Sequence, residues 1–112
     1  MNNYFVRIEV ACNPNTPPET LDLMANDNDL SIRLNVAWNP NILPETLACL
    51  ANDEVNEVRS YVALNPKTAP ETLERLANDE KWSVRYYVTR NPNTPQYIRQ
   101  YIKITEFLNY YE

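Results

Sequence analysis

The stretch Ile32-Arg33-Leu34-Asn35-Val36-Ala37-Trp38-Asn39-Pro40, continued by Pro44-Glu45-Thr46-Leu47 and Leu50-Ala51-Asn52-Asp53, decides the fold because it returns at a fixed interval. Asn-Pro stands at Asn13-Pro14, Asn39-Pro40, Asn65-Pro66 and Asn91-Pro92, each 26 residues after the last. The same period carries Arg7, Arg33, Arg59 and Arg85; Val10, Val36, Val62 and Val88; Leu21, Leu47 and Leu73; and Asn-Asp at Asn26-Asp27, Asn52-Asp53 and Asn78-Asp79. Self-similarity at such a period marks a solenoid, in which a unit cannot bury its apolar face alone and stacks on its neighbours.

Within a unit, Thr16-Pro17-Pro18-Glu19 reads as a helix start, with Thr16 as N-cap, proline in the first turn and Glu19 closing a capping box. Thr68-Ala69-Pro70-Glu71 repeats the box, and Ile42 in the second unit predicts a weaker cap there, by about 1 kcal/mol. Leu21, Met24 and Ala25 follow at helical spacing, as do Leu47, Leu50 and Ala51, and Leu73, Leu76 and Ala77, giving an amphipathic helix of about ten residues. Asn26, Asn52 and Asn78 are expected in the left-handed position at its end. A second short helix, α or partly 3₁₀, is expected from about Asp29 to Trp38, with Ile32, Val36 and Ala37 buried. The Asn-Pro pair ends it, because a residue before proline is pushed out of the α region.

The expected architecture is all-α: a right-handed superhelical solenoid of two-helix repeats with capping helices at both ends. One domain spans residues 1–112, comprising an N-terminal half-repeat 1–12, repeats 13–38, 39–64 and 65–90, and a C-terminal capping segment 91–112. Ile98, Tyr101, Ile102, Thr105 and Leu108 are expected on one face of the last helix.

Composition narrows the function. The chain has no glycine and no histidine. Phosphate-cradling loops, dinucleotide fingerprints and nucleophile elbows depend on glycine. Without histidine there is no unperturbed side chain titrating near neutrality, and the commonest transition-metal ligand is missing. No catalytic, cofactor or metal site is therefore expected. A net charge of −5, from ten basic and fifteen acidic residues, opposes direct binding to nucleic acid or an anionic membrane, and no apolar run is long enough to span one. Cys12 and Cys49 have neither metal-binding nor disulfide spacing and are expected as buried or half-buried thiols in a reducing cytoplasm.

The quoted strings resemble the leucine-rich repeat variant family, whose pattern is roughly Val-Arg-x-x-Val-Ala-x-Asn-Pro, then Pro-Pro-Glu-x-Leu-x-x-Leu-Ala, then Asp. The resemblance covers about residues 6 to 95 and implies alternating α- and 3₁₀-helices stacked into a superhelix. Some family members carry an iron–sulfur centre on a cysteine cluster; Cys12 and Cys49 cannot supply four thiolates, so that cofactor is not carried over.

A repeat offers an internal comparison: constant columns serve stacking and turns, drifting columns are free for use. The arginine column offers a guanidinium ladder for an anionic partner, but it lies on the packed side of its helix and is expected to pair with carboxylates such as Asp27, Asp53 or Asp79 or to cap carbonyls of a neighbouring unit. Glu19, Glu45 and Glu71 are assigned to the capping boxes. The drifting face of the second helices carries Leu34, Trp38, Tyr61, Leu64, Tyr86, Tyr87 and Arg90, with Trp82 nearby. Tyr, Trp and Arg concentrate binding energy in protein interfaces. The expected function is a non-enzymatic scaffold that binds a protein or peptide through this face. The alternative is a small acidic decoy that occupies a nucleic-acid-binding protein.

Overall fold

The computed structural model of the chain describes residues 3–111, so residues 1, 2 and 112 of the expected domain lie outside the described residues. Eight α-helices follow one another in this region: α1 (Tyr4–Cys12), α2 (Pro18–Met24), α3 (Leu30–Trp38), α4 (Pro44–Leu50), α5 (Asn56–Leu64), α6 (Pro70–Leu76), α7 (Trp82–Arg90) and α8 (Gln96–Tyr110). The odd helices α1, α3, α5 and α7 pack in succession, and α2, α4 and α6 each pack on the odd helix that follows. The result is an α-solenoid measuring 51 × 23 × 16 Å. Its core is one continuous seam in which Ala11, Leu21, Ile32, Val36, Ala37, Leu47, Val58, Val62, Ala63, Leu73, Val84 and Val88 are fully buried.

The expected 3₁₀ component does not occur among the described residues: the second helices are α-helical over nine residues. Tightening is confined to their ends, where the N–H of Asn65 is shared between the Tyr61 and Val62 carbonyls. The first helices are seven residues long rather than about ten.

Proline explains where the first helices begin. Pro18, Pro44 and Pro70 sit at the first helical position and force the residue before them to stay extended, so Pro17, Leu43 and Ala69 are the N-caps, with ψ of 144°, 147° and 151°. Thr16 and Thr68 therefore stand one residue too early to cap, and the expected capping boxes do not form. Their hydroxyls donate backwards instead, Thr16 to the Val10 carbonyl and Thr68 to the Val62 carbonyl, both at 2.6 Å, and Thr94 does the same to Val88. These bonds satisfy carbonyls at the C-terminal end of the preceding helix. Ile42 replaces this hydrogen bond with complete burial in the core, so it is a packing residue and not a weak cap. Glu19, Glu45 and Glu71 remain exposed in the first turns, where their charge faces the positive end of the helix dipole.

The Asn-Asp turns also differ from expectation. No described residue has positive φ, and Ala25, Ala51 and Ala77 end their helices in right-handed geometry. The chain continues by a tight turn in which the N–H groups of Asp27, Asp53 and Asp79 reach back to Met24, Leu50 and Leu76. Each aspartate then accepts the N–H two residues on, at 2.9 Å. The side chain thus shapes the turn that a left-handed residue was expected to make.

The Asn-Pro turns hold the stack together. Asn13, Asn39, Asn65 and Asn91 are extended, as a residue before proline must be, with ψ between 119° and 129°. Each side-chain oxygen accepts the N–H two residues later. Each buried carboxamide reaches back one unit: Asn39 Nδ2 donates to the Ala11 and Asn13 carbonyls, Asn65 Nδ2 to Ala37, and Asn91 Nδ2 to Ala63 and Asn65. A buried ladder of amides therefore satisfies the Ala11, Ala37 and Ala63 carbonyls at the helix ends.

Helix α8 supplies by other means the contacts that a further unit would make. Arg99 donates to the Thr89 carbonyl at 3.2 Å and the Asn91 carbonyl at 2.6 Å, the places that Asn39, Asn65 and Asn91 fill elsewhere. Ile98 and Ile102 are buried against the stack, whereas Tyr101 and Leu108, expected on the same face, are exposed. Leu108 lies past the end of the packed surface, because α8 outruns the seven-residue helices it follows.

Candidate protein-binding surface

The arginine column is bound into the scaffold. Arg7, Arg33 and Arg59 pair through Nε with Asp27, Asp53 and Asp79 at 3.1, 2.8 and 2.7 Å, and Arg85 pairs with Glu106 at 2.6 Å. Arg33, Arg59 and Arg85 also donate through Nη1 to the carbonyls of Asp27, Asp53 and Asp79, at 2.9, 2.7 and 2.6 Å. Arg33 and Arg59 thus clip the turn before their own helix to the next turn along, and Arg85 clips its turn to α8. Hydrogen bonding to Asp79, outweighing the opposing effect of burial, holds the Arg59 proton more tightly than usual. A planar fork suits this double duty, and it leaves the guanidinium occupied rather than offered to an anion.

The drifting columns lie elsewhere on the odd helices. Trp38 on α3 is 57% exposed and meets Tyr61 of α5 with ring centres 5.4 Å apart, so this pair spans two units. Trp82 on α7 is 62% exposed and stacks on Tyr86 at 5.4 Å, and Tyr86 meets Tyr87 edge-on at the same distance. Tyr87 and Leu34 are half-buried and pack against the core. Leu64, also half-buried, joins Trp38, Pro40, Pro66 and Lys67 around an open hollow of about 200 Å³. Arg90 is exposed in the last turn of α7, where its charge meets the negative end of the helix dipole. The sequence-derived set therefore includes two aromatic groups, Trp38 with Tyr61 and Trp82 with Tyr86 and Tyr87, while Leu34 packs on the core.

Cys12 and Cys49 are both exposed, contrary to expectation. Cys12 ends α1 on its outer side and donates to Asn35 Oδ1 at 3.2 Å, while Cys49 lies in the α2–α4 groove beside Asp22. Among the described residues no group of three or more His, Cys, Asp or Glu is arranged to hold a metal. No helix among them is long and apolar enough to cross a membrane.

The outer side of α8 and its C-cap expose Ile104, Phe107, Leu108 and Tyr111, with Phe107 and Tyr111 rings 4.8 Å apart. Tyr97 and Tyr101 line a cleft between α6 and α8, and a signal for it existed: they replace Glu71 and Arg75 of the preceding unit.

The helix order and turn chemistry agree with comparisons to known proteins. The family described as Leucine rich repeat variant matches residues 4–29 and 57–81. Both stretches are similar to leucine-rich repeat variant units. A solved structure described as a leucine-rich repeat variant with a novel repetitive protein structural motif matches with a TM-score of 0.67 and 25% identity, over 91% of this chain. The chain spans 45% of that protein's length. No curated protein matches. The repeat scaffold of this chain accounts for the constant columns, namely the Asn ladder, the Arg-Asp clips and the apolar seam. It leaves Trp38, Tyr61, Trp82 and Tyr86 exposed on α3, α5 and α7.

Proposed function

We propose that this chain is a non-enzymatic protein-binding scaffold, and that its partner, a protein or peptide, docks on the aromatic surface formed by Trp38, Tyr61, Trp82 and Tyr86. The observation that carries this reading is the exposure of two indoles, Trp82 stacked on Tyr86 and Trp38 tilted against Tyr61, at positions where the residue type drifts from unit to unit. Aromatic rings fixed by a neighbour lose little conformational entropy on binding, and Trp, Tyr and Arg dominate interface energetics. Half-buried Leu34, Leu64 and Tyr87 and exposed Arg90 complete the surface. An extended helical stack suits a macromolecular partner better than a metabolite, which needs a deeper and more enclosed pocket. Exposed thiols at Cys12 and Cys49 fit a reducing cytoplasm.

The acidic-decoy alternative has less support. It needs a dense stripe of unpaired carboxylates, and Asp27, Asp53, Asp79 and Glu106 are each engaged by an arginine.

The test is affinity capture from native cytoplasm with the intact chain and with Trp38→Ala/Tyr86→Ala. The expected result is retention of a discrete partner by the parent and loss of at least tenfold in the double variant, with an unchanged helical CD spectrum. Undiminished capture by the variant refutes the assignment. A basic, nucleic-acid-binding partner that nucleic acid displaces and salt weakens steeply favours the decoy instead.

A further inference from the structure

The grooves between successive even helices are not equivalent, and the difference points to a ligand. In the α4–α6 groove the chain provides its own cation: Arg75 donates through Nη2 to the Ala48 carbonyl at 3.0 Å and through Nη1 to Asn52 Oδ1 at 3.2 Å. One unit on, in the α6–α8 groove, Asn78 replaces Asn52, Glu74 replaces Ala48 and Tyr101 replaces Arg75. The second groove has thus gained a carboxylate and lost the cation.

What remains is a cleft of about 240 Å³ lined by Glu74, Ala77, Asn78, Tyr97, Ile98 and Tyr101. No cationic side chain is in this lining: Arg75, which borders an adjoining hollow with Glu71, Glu74 and Asn78, is directed to the Ala48 carbonyl and Asn52, and Arg99 to the Thr89 and Asn91 carbonyls. Both tyrosines bridge the two helices, Tyr97 donating to Glu74 Oε2 at 3.3 Å and Tyr101 to Asn78 Oδ1. Ala77 and Ile98 are buried and give the cleft an apolar floor. The charge of Glu74 comes first, with burial, hydrogen bonding to Glu74 and the charge of Glu71 behind it, in holding the Tyr97 phenol above its ordinary pKa, which marks a negative potential here. Carboxylate, carboxamide oxygen, aromatic rings and an apolar floor together match an aliphatic stem that ends in a cation.

From this juxtaposition we infer that the α6–α8 cleft binds a primary alkylammonium group, presented as the lysine side chain of a protein partner. The site is built from even helices and does not depend on the aromatic surface of the odd ones.

The test uses the full chain and three probes: Nα-acetyl-lysine methylamide, its neutral Nε-acetyl counterpart and butylammonium chloride. NMR follows the Ile98 methyl groups and the Tyr97 and Tyr101 rings. The lysine probe is expected to give saturable shifts, at least tenfold weaker with the neutral counterpart and with Glu74→Gln, whose exposed position leaves the fold intact. Tyr101→Arg rebuilds the preceding groove and is expected to abolish the response while helical CD and thermal stability are kept. Equal shifts from charged and neutral probes overturn the inference, as does an unaltered response in Glu74→Gln or no response to any probe. Binding of butylammonium without the lysine probe overturns the assignment to a protein side chain.

Discussion

Replacing Asn91 with alanine tests whether the amide ladder holds adjacent units together. Asn91 is fully buried; its Nδ2 donates to the Ala63 carbonyl at 2.8 Å and the Asn65 carbonyl at 3.0 Å, and its Oδ1 accepts the Asn93 N–H at 2.9 Å. The Asn65 carbonyl keeps the N–H of Thr68, and Asn93 is exposed enough for water to take its N–H. The Ala63 carbonyl, at the end of α5, loses its donor within the stack. Leaving one such group unsatisfied costs about 1–3 kcal/mol, and the void adds to it, so a total of about 2–4 kcal/mol is expected. At about 4 °C per kcal/mol for a chain of this size, thermal unfolding shifts down by about 8–16 °C. Two companions sharpen the test. Asn93→Ala, which removes an exposed bond to the Pro66 carbonyl, is expected to cost under about 1 kcal/mol. Asn91→Asp keeps the acceptor but turns a carboxylate oxygen toward the Ala63 carbonyl, so it destabilises at least as much as alanine at neutral pH. A loss below about 0.5 kcal/mol for Asn91→Ala in urea titration, or an Asp variant more stable than the Ala variant, refutes the reasoning.

Other consequences can be checked in the same way. Arg59→Met strands the mostly buried Asp79 carboxylate and is expected to cost about 3 kcal/mol, with much of the loss recovered in Arg59→Met/Asp79→Asn; additive losses in a double-mutant cycle count against the clip. Thr68→Val removes one of two donors to the Val62 carbonyl and should cost about 1 kcal/mol, whereas Ile42→Thr trades apolar burial for the equivalent bond and should stay within about 1 kcal/mol of the parent; equilibrium unfolding decides both. Asp29 accepts from the Ser31 hydroxyl and N–H at the start of α3, which lowers its pKa below 3.8. Its contribution to stability is therefore complete above the ordinary carboxylate pKa and is lost as pH falls through the lowered value. The stability gap between the parent and Asp29→Ala should shrink on acidification, and a gap that widens contradicts the sign. Arg99→Ala removes the donors at the end of α7 and should lower hydrogen-exchange protection in α7 and α8 before it affects α1 and α3.

The parts of this molecule that repeat were legible without coordinates because period and chemistry agree. Arg33 and Asp53 recur in step, so their pairing across 20 residues could be anticipated, and the apolar seam follows from the spacing of Leu47, Leu50 and Val62. Errors arose where one residue of register decides geometry. Thr16 looks like a cap until Pro18 is seen to hold Pro17 extended, which moves the cap one place on and frees the hydroxyl for Val10. Asn52 looks like a left-handed terminator, but Asp53 closes the turn with its own carboxylate. On the candidate surface the drifting columns pointed to Trp38, Tyr61, Trp82 and Tyr86, yet exposure itself was not readable: Tyr87, in the same column as Tyr61, packs on the core, while Cys49 faces outward. Side-chain burial at such positions depends on what the adjoining unit presents, and that is the part of the sequence that varies.

The contrast between constant and drifting positions carries through to α8. In the regular units one asparagine and one aspartate do the linking, and their recurrence made them visible. In α8 the same carbonyls are held by Arg99 and the same guanidinium position by Glu106, at offsets that no 26-residue period predicts. A long flexible side chain reaching from an altered register can reproduce the hydrogen bonds of a short one in the regular register. The scaffold therefore conserves contacts while changing residues, and positions released from the repeat, such as Tyr97 and Tyr101, become available for other chemistry. The proposed aromatic surface and the α6–α8 cleft both arise in this way: each lies where the residue type changes from unit to unit while the buried seam of the stack is kept.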